Sequence, residues 1–260
     1  MQDSPRTFRL DALILKHMDY GEADRIMVVY SKEQGKVRAI AKGVRKLHSR
    51  KAGHLEPFTH SCMFLARGRD LPIITQAQTI DPFNGLRNDL VKIGYASYVI
   101  ELVDRFSSED GENYSLFHLL LETIKRIEDS EDLFIPIRYF ELHLLELQGF
   151  KPELFTCIKC KKTIQAEDQY FSAELGGVLC PKCGLTTSLT QTVSLAALKY
   201  LRHFQRSTYT DILRVRIDLK VREEIETLMR HYITFLLERR LNSPDFIKIV
   251  EHLRTISHTA

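Results

Sequence analysis

Four of the five cysteines stand in two C-x-x-C pairs, which are separated by 19 residues. Each pair forms a tight turn that directs two thiolates at one ion, and this spacing is typical of four-thiolate zinc sites. A Zn²⁺ ion with four protein ligands has no open position for water, so the pattern predicts one structural zinc rather than a catalytic one. The predicted ligands are Cys157, Cys160, Cys180 and Cys183.

A redox role for either pair would need a thioredoxin-like strand and helix beside it, and neither pair has them. The fifth cysteine, Cys62, lies in an apolar segment and is interpreted as a buried core thiol. Four lysines flank the paired cysteines, and we expect them to offset the thiolate charge, with contact to phosphate as the alternative. They are Lys159, Lys161, Lys162 and Lys182.

Residues 32–51 contain eight Lys or Arg residues against the single acid Glu33. Long basic side chains on a strand face and in the following loop can follow a phosphate backbone, which predicts a nucleic-acid surface, although a solvated face is the alternative. The candidate DNA-binding residues are Lys36, Arg38, Lys42, Arg45, Lys46, Arg50 and Lys51. Residues 31–57 contain no aromatic side chain, so we expect phosphate contact to outweigh base stacking and duplex DNA to bind as well.

The elements that must position these residues fall into two patterns. Residues 1–80 read as five short strands separated by turn signals, namely 10–15, 26–30, 37–41, 61–66 and 73–77. Five strands in about 80 residues suit an OB-fold, and an SH3-like barrel fits the periodicity nearly as well.

Beyond Asp81 the apolar spacing becomes helical, with helices predicted from about residue 90 to 107, over 116–127 and from Pro136 to the Gly149 stop. Ser194 is predicted to cap a helix that runs through Phe204, and two further helices follow over 221–241 and 244–253. Residues 151–187 are too polar to form a core without a metal. The fold class is therefore α+β and multidomain, with an N-terminal β-barrel at 1–80, a helical domain at 81–156 and 188–260, and an inserted zinc ribbon at 157–187.

Charge is distributed unevenly along the 260 residues: residues 1–80 carry +6, residues 81–156 carry −8 and residues 157–260 carry +5. This asymmetry indicates a basic binding module joined to an acidic helical one. No apolar run long enough to span a membrane occurs, and the start lacks a secretory signal pattern, so a cytoplasmic protein is expected. There is no phosphate-binding glycine loop, dinucleotide motif, zinc-protease motif or serine elbow, which argues against an enzyme.

Three segments together resemble the RecO family of bacterial recombination mediators. The first comprises Tyr20–Arg25, Gly35–Gly43 and Leu55–Phe58, the second is Arg138–Phe150, and the third is Gly176–Cys183. The likeness spans most of residues 8–190. Lys161 departs from the family pattern, which commonly has glycine after the first cysteine pair.

The resemblance implies an N-terminal OB-fold, binding and annealing of DNA in the bacterial nucleoid, and partnership with RecR, single-strand-binding protein and, indirectly, RecA. It also implies that the helical region docks the acidic tail of single-strand-binding protein. Arg138 is the candidate cation for that tail, and the alternative is a surface arginine that pairs with Glu141 or with Glu146. An RNA-binding zinc-ribbon factor of transcription or the ribosome remains open as a second function.

Overall fold

The computed structural model describes residues 6–108, 111 and 113–259, with side chains up to residue 251. Contacts between residues divide the chain into two units. Unit 1 comprises residues 1–131 and 243–260, and unit 2 comprises residues 132–242. The division into four segments stays a prediction.

Unit 1 begins with a closed five-stranded barrel in the order β1-β2-β3-β5-β4. The strands are β1 (Thr7–Tyr20), β2 (Asp24–Ser31), β3 (Gly35–Ala41), β4 (His60–Ala66) and β5 (Ile73–Asp81). β1 pairs with both β2 and β4, and β3 closes the barrel against β5 in parallel. Each of the five predicted strands is present, and the OB-type barrel is confirmed.

Alternation along the strands fills the barrel with small and branched apolar side chains, because successive residues point to opposite faces. Leu10, Ala12 and Ile14 of β1 lie in the core with Met27 and Val29 of β2. The same alternation places Cys62 on the outside of β4, where its thiol is partly exposed and accepts a hydrogen bond from Arg9 Nε at 2.9 Å. The expectation that Cys62 is a buried core thiol is therefore wrong.

Three helices complete unit 1: α1 (Leu90–Phe106), α2 (Tyr114–Asp129) and α8 (Ser243–Thr259). Asp89 caps α1 by accepting hydrogen bonds from the main-chain N–H groups of Val91 and Lys92. α8 packs against α1, where a Cβ on Gly94 would lie 3.0 Å from Ile247. At the start of α8, Ser243 donates to the Glu101 carboxylate from both its main chain and its side chain.

Unit 2 contains α3 (Phe134–Leu147), a sheet of order β7-β6-β8, and the helices α4 (Pro181–Gly184), α5 (Leu195–Arg206), α6 (Tyr209–Ile212) and α7 (Leu219–Leu237). The strands are β6 (Gln169–Ser172), β7 (Gly177–Leu179) and β8 (Thr190–Val193). As predicted, Ser194 caps α5, and its hydroxyl accepts a hydrogen bond from Ala197 N at 3.1 Å. Among the described residues, no helix is both long and apolar enough to cross a membrane.

Candidate metal centre and nucleic-acid interface

The four paired cysteines meet at one point in unit 2. Their sulfur atoms all lie within 4.8 Å of one another, and Cys160 Sγ is 3.9 Å from Cys180 Sγ. Four thiolates at the Zn–S distance of about 2.3 Å stand roughly 3.8 Å apart in a tetrahedron, so the cluster fits a divalent metal of the size of zinc. The hairpin of β6 and β7, whose turn ends at Gly176 with φ +72°, brings the two pairs together as the spacing predicts.

Local hydrogen bonds prepare the cluster for a cation. Burial by itself raises the pKa of the Cys157 thiol, but main-chain N–H groups of Cys160, Cys180 and Lys159 donate to its sulfur and lower that pKa to about 6. Desolvation and hydrogen bonds with the neighbouring thiols raise the pKa of Cys183 to about 12. Ionised sulfurs this close together repel one another, and a divalent cation would relieve that repulsion.

Lys161 occupies a left-handed backbone position directly after the first cysteine pair, with φ 60°. Its main-chain N–H donates to Cys157 O at 2.8 Å and closes the tight turn around the metal ligands. Glycine reaches this conformation without steric cost, whereas a side chain costs about 1–2 kcal/mol. The departure from the family pattern thus leaves the turn in place and strains it.

The seven predicted DNA-binding residues divide into two groups. Lys36 is 14% exposed, and its Nζ donates to the main-chain carbonyl of Asp104 in the last turn of α1 at 2.7 Å. Lys51 Nζ donates to the main-chain carbonyl of Ile74 at 2.8 Å, and desolvation lowers the pKa of this lysine. The structure therefore uses both ammonium groups to hold main-chain carbonyls of unit 1.

The remaining five cations lie on β3 and in the loop that follows it. Arg38 is half-buried on β3, while Lys42, Arg45, Lys46 and Arg50 are exposed. We define the basic loop as residues 43–53. Val44 near its start and Leu55 just beyond its end lie in the barrel core, 2% and 1% exposed, so the loop has a fixed base and a solvated tip.

A second segment braces the basic loop: residues 19–25, which comprise the end of β1, the start of β2 and the turn between them. Asp24 Oδ1 accepts a hydrogen bond from Gly43 N at 2.7 Å, and Ala23 O accepts one from Arg45 N at 3.0 Å. Asp19 Oδ2 lies 3.4 Å from Arg45 Nε. The sequence prediction did not include this contact, and the signal that could have indicated it is the pair of acids, Asp19 and Asp24, whose charge is complementary to the loop.

Arg138 is buried in unit 2, with its side chain 7% exposed. Its Nη2 lies 3.1 Å from Oε1 of Glu141, which is fully buried one turn further along α3. The pairing with Glu141 is the one that the alternative names. That alternative placed the pair on the surface, whereas the structure buries it. A role for Arg138 in docking a partner stays a prediction.

Comparison with known proteins relates both halves of the chain to one family. A family model described as the N terminal of recombination protein O matches residues 3–83, and one described as its C terminal matches residues 87–245. A protein named DNA repair protein RecO from a Roseiflexus species is 41% identical over 253 residues, which is 97% of this chain and 89% of that protein. Proteins of the same name from Dehalococcoides mccartyi and Pelotomaculum thermopropionicum are 38% and 37% identical, over 90% and 93% of this chain and 92% and 94% of their own lengths.

Proposed function

The chain belongs to the recombination protein O family, and on that premise we propose that it is a non-enzymatic DNA-repair and recombination protein. In this proposal it binds single-stranded and duplex DNA and anneals complementary strands. With RecR it helps to load RecA onto DNA that is covered by single-strand-binding protein.

The observation that carries the proposal is the basic loop on the OB-type barrel. Three exposed cations, Arg45, Lys46 and Arg50, stand on a segment of residues 43–53 that contains no acidic residue and whose ends are fixed in the core. A rigid base limits the conformational entropy lost on binding, and cations at the tip replace the counterions of a phosphate backbone. Annealing follows from the same contacts, because neutralised phosphates let two complementary strands approach each other.

We assign the cysteine cluster one structural Zn²⁺ ion. The four sulfurs have the separations that a tetrahedral zinc site needs, and residues 157–187 include few buried apolar side chains of their own. A bound zinc would stabilise this segment by joining its two cysteine turns. In this role zinc contributes to folding and takes no part in strand annealing.

For partners we propose RecR and the acidic tail of single-strand-binding protein, with Arg138 as the cation for the tail. Since Arg138 is buried beside Glu141, a tail carboxylate would have to displace or share that pairing. Titrating a labelled tail peptide onto wild-type protein and Arg138→Lys tests the role. Equal affinities, with the fold retained in both proteins, would place the tail elsewhere.

The decisive experiment for DNA binding is charge reversal at the tip of the basic loop. Arg45→Glu, Lys46→Glu and Arg50→Glu together should abolish binding and annealing of single strands while the barrel stays folded. Lys51 must be spared, since its ammonium holds the Ile74 carbonyl. The reversal is therefore limited to the three loop cations whose side chains are exposed.

A matched control reverses three exposed cations of unit 2, Arg214, Arg216 and Lys220, and so makes the same change in net charge. Binding should survive in this control, which separates a local site from an effect of total charge. If the loop variant binds like wild type, the DNA site lies elsewhere, with the lysines around the cysteine cluster as the next candidates. Competition between DNA and RNA oligonucleotides of one sequence distinguishes this function from an RNA-binding factor.

A further inference from the structure

Tyr20 is an exposed aromatic residue that the fold brings next to the basic loop, although 23 positions separate it from Gly43, the first residue of that loop. It ends β1 with its side chain 52% exposed. Among the described residues, none stacks on its ring or hydrogen-bonds its hydroxyl. Its ring therefore contributes little to the core of the barrel and stays available to a ligand.

A chain of short contacts connects Tyr20 to the loop cations. Tyr20 stands directly opposite Asp24 in the ladder between β1 and β2, and such cross-strand neighbours have Cβ atoms about 5 Å apart. Asp24 accepts the hydrogen bond from Gly43 N. The Cδ of Lys46 in turn lies 3.6 Å from the point where a Cβ on Gly43 would stand.

Asp19, the residue before Tyr20, pairs with Arg45. The loop cations Arg45 and Lys46 therefore both lie near the end of β1 that carries Tyr20. An exposed aromatic face next to cations matches the two parts of a single-stranded nucleic acid, whose bases stack on aromatic rings while its phosphates pair with Lys and Arg.

We propose that Tyr20 is a base-stacking residue, on which a nucleobase of single-stranded DNA packs while the neighbouring phosphates contact Arg45 and Lys46. The inference rests on the proposed DNA-binding function and adds to it a preference for single strands. In a duplex the base faces are covered by their neighbours, so only the phosphate contacts remain. This adds a stacking contact to the expectation from the sequence that phosphate contact outweighs base stacking, which considered residues 31–57 alone.

The chain contains no tryptophan, which permits a direct test. Tyr20→Trp gives the protein a single tryptophan at the proposed stacking position, and its fluorescence should be quenched when oligothymidine binds. The matched control is Tyr114→Trp. Tyr114 is 54% exposed and has Lys32 Nζ 5.2 Å from its ring, so the control is also an exposed ring beside a cation. Lys32 precedes β3 whereas the basic loop follows it, so the control's cation lies at the opposite end of that strand.

Quenching at position 20 without quenching at position 114 supports the inference. Equal quenching at both positions, or none at position 20 in a variant that still binds, overturns it.

Affinities measured across a range of salt concentrations separate stacking from charge. Tyr20→Ala should weaken binding of single strands by roughly 5- to 150-fold, the range expected for loss of one stacked base. The slope of log affinity against log salt should not change, since no phosphate contact is removed. Binding of duplex DNA should be unaffected, and Tyr20→Phe should bind like wild type because it keeps the ring.

These outcomes distinguish failure of the inference from failure of the proposed function. If the triple reversal in the basic loop abolishes binding while Tyr20→Ala binds single strands normally, the inference is wrong and the DNA site stands. If Tyr20→Phe is as weak as Tyr20→Ala, the hydroxyl rather than the ring is responsible, and stacking is refuted. If the triple reversal leaves binding intact, the proposed site fails and the inference fails with it.

Discussion

Replacing single lysines with glutamine should separate the two groups of predicted DNA-binding residues, and Lys46 and Lys36 are the pair to compare. Both lysines lie among the cations of residues 32–51, and each change replaces a positive charge with a neutral amide. Lys46 is exposed in the basic loop, whereas Lys36 holds the last turn of α1 through Asp104. The sequence predicts one role for both lysines, whereas the structure places them in different surroundings.

The expected magnitude for Lys46→Gln follows from counterion release. Five of the seven predicted cations do not hold a main-chain carbonyl, and if all five contact single-stranded DNA, log affinity should fall against log salt with a slope of about −3.5, at ~0.7 per contact. Lys46→Gln should bring the slope to about −2.8. At a salt concentration of about 0.1 M, one such contact corresponds to a roughly fivefold loss of affinity. Thermal stability should stay near the wild-type value, because the Lys46 ammonium is solvated.

Lys36→Gln should show the opposite pattern. The affected hydrogen bond joins an ammonium whose side chain is 14% exposed to a main-chain carbonyl, and a bond to a charged group contributes about 1.5–3 kcal/mol. The free energy of unfolding should fall by about that amount, while the salt slope of the folded protein should not change. Asp104 keeps its ion pair with Lys16, so α1 should remain docked on the barrel.

Fluorescence anisotropy of a labelled oligothymidine at several salt concentrations gives the slope, and urea denaturation gives the stability. The reasoning would be refuted by a Lys36→Gln protein that has wild-type stability and a slope reduced by about 0.7. A stable Lys46→Gln protein with an unchanged slope would equally remove Lys46 from the phosphate-binding surface.

Three further changes test the metal turn and the buried pair. Cys157→Ser with Cys183→Ser should eliminate zinc from protein purified without chelator and destabilise unit 2, because structural zinc commonly contributes on the order of 10 kcal/mol to small ribbons. Elemental analysis measures the zinc and denaturation measures the stability. Full stability of the double variant would contradict the zinc assignment. Lys161→Gly should stabilise the protein by about 0.5–1 kcal/mol, since it removes the cost of a lysine in the left-handed backbone conformation. An unchanged melting temperature would show that the turn relaxes around the side chain. Arg138→Met should lower the free energy of unfolding, measured by urea denaturation, by about 3–5 kcal/mol, because it leaves the buried Glu141 carboxylate without its Arg138 partner. No loss of stability would mean that Glu141 takes up a proton or is satisfied by its other neighbours.

The elements of this fold were predictable where a local signal decides them. Alternating apolar residues located all five strands, and Ser194 correctly marked the start of α5. The cysteine spacing correctly placed four thiols at one point, because two short turns joined by a hairpin have little freedom. Strand ends were less predictable, and β1 runs to Tyr20, five residues beyond its expected end, because pairing with β2 extends it.

Roles that depend on distant partners were not predictable from the sequence. Nothing local distinguishes Lys36 from Lys46, because the acceptor of Lys36 lies 68 positions away on α1. Tyr20 and the basic loop likewise meet only through the ladder of β1 and β2. The depth of Arg138 depends on how α3 packs within unit 2, whereas helical spacing alone identified Glu141 as a neighbour.

The return of α8 to unit 1 has a consequence for biosynthesis. Unit 2 lies in the chain between α2 and α8, so the ribosome makes the barrel, α1 and α2 long before it makes the helix that packs on α1. Until then Gly94 and the Glu101 carboxylate lack the partners that Ile247 and Ser243 later provide. We expect a nascent chain stalled before residue 243 to hold a formed barrel with an uncovered α1. Limited proteolysis of arrested ribosome complexes would detect this state as cleavage within α1. The cleavage should disappear once α8 has emerged.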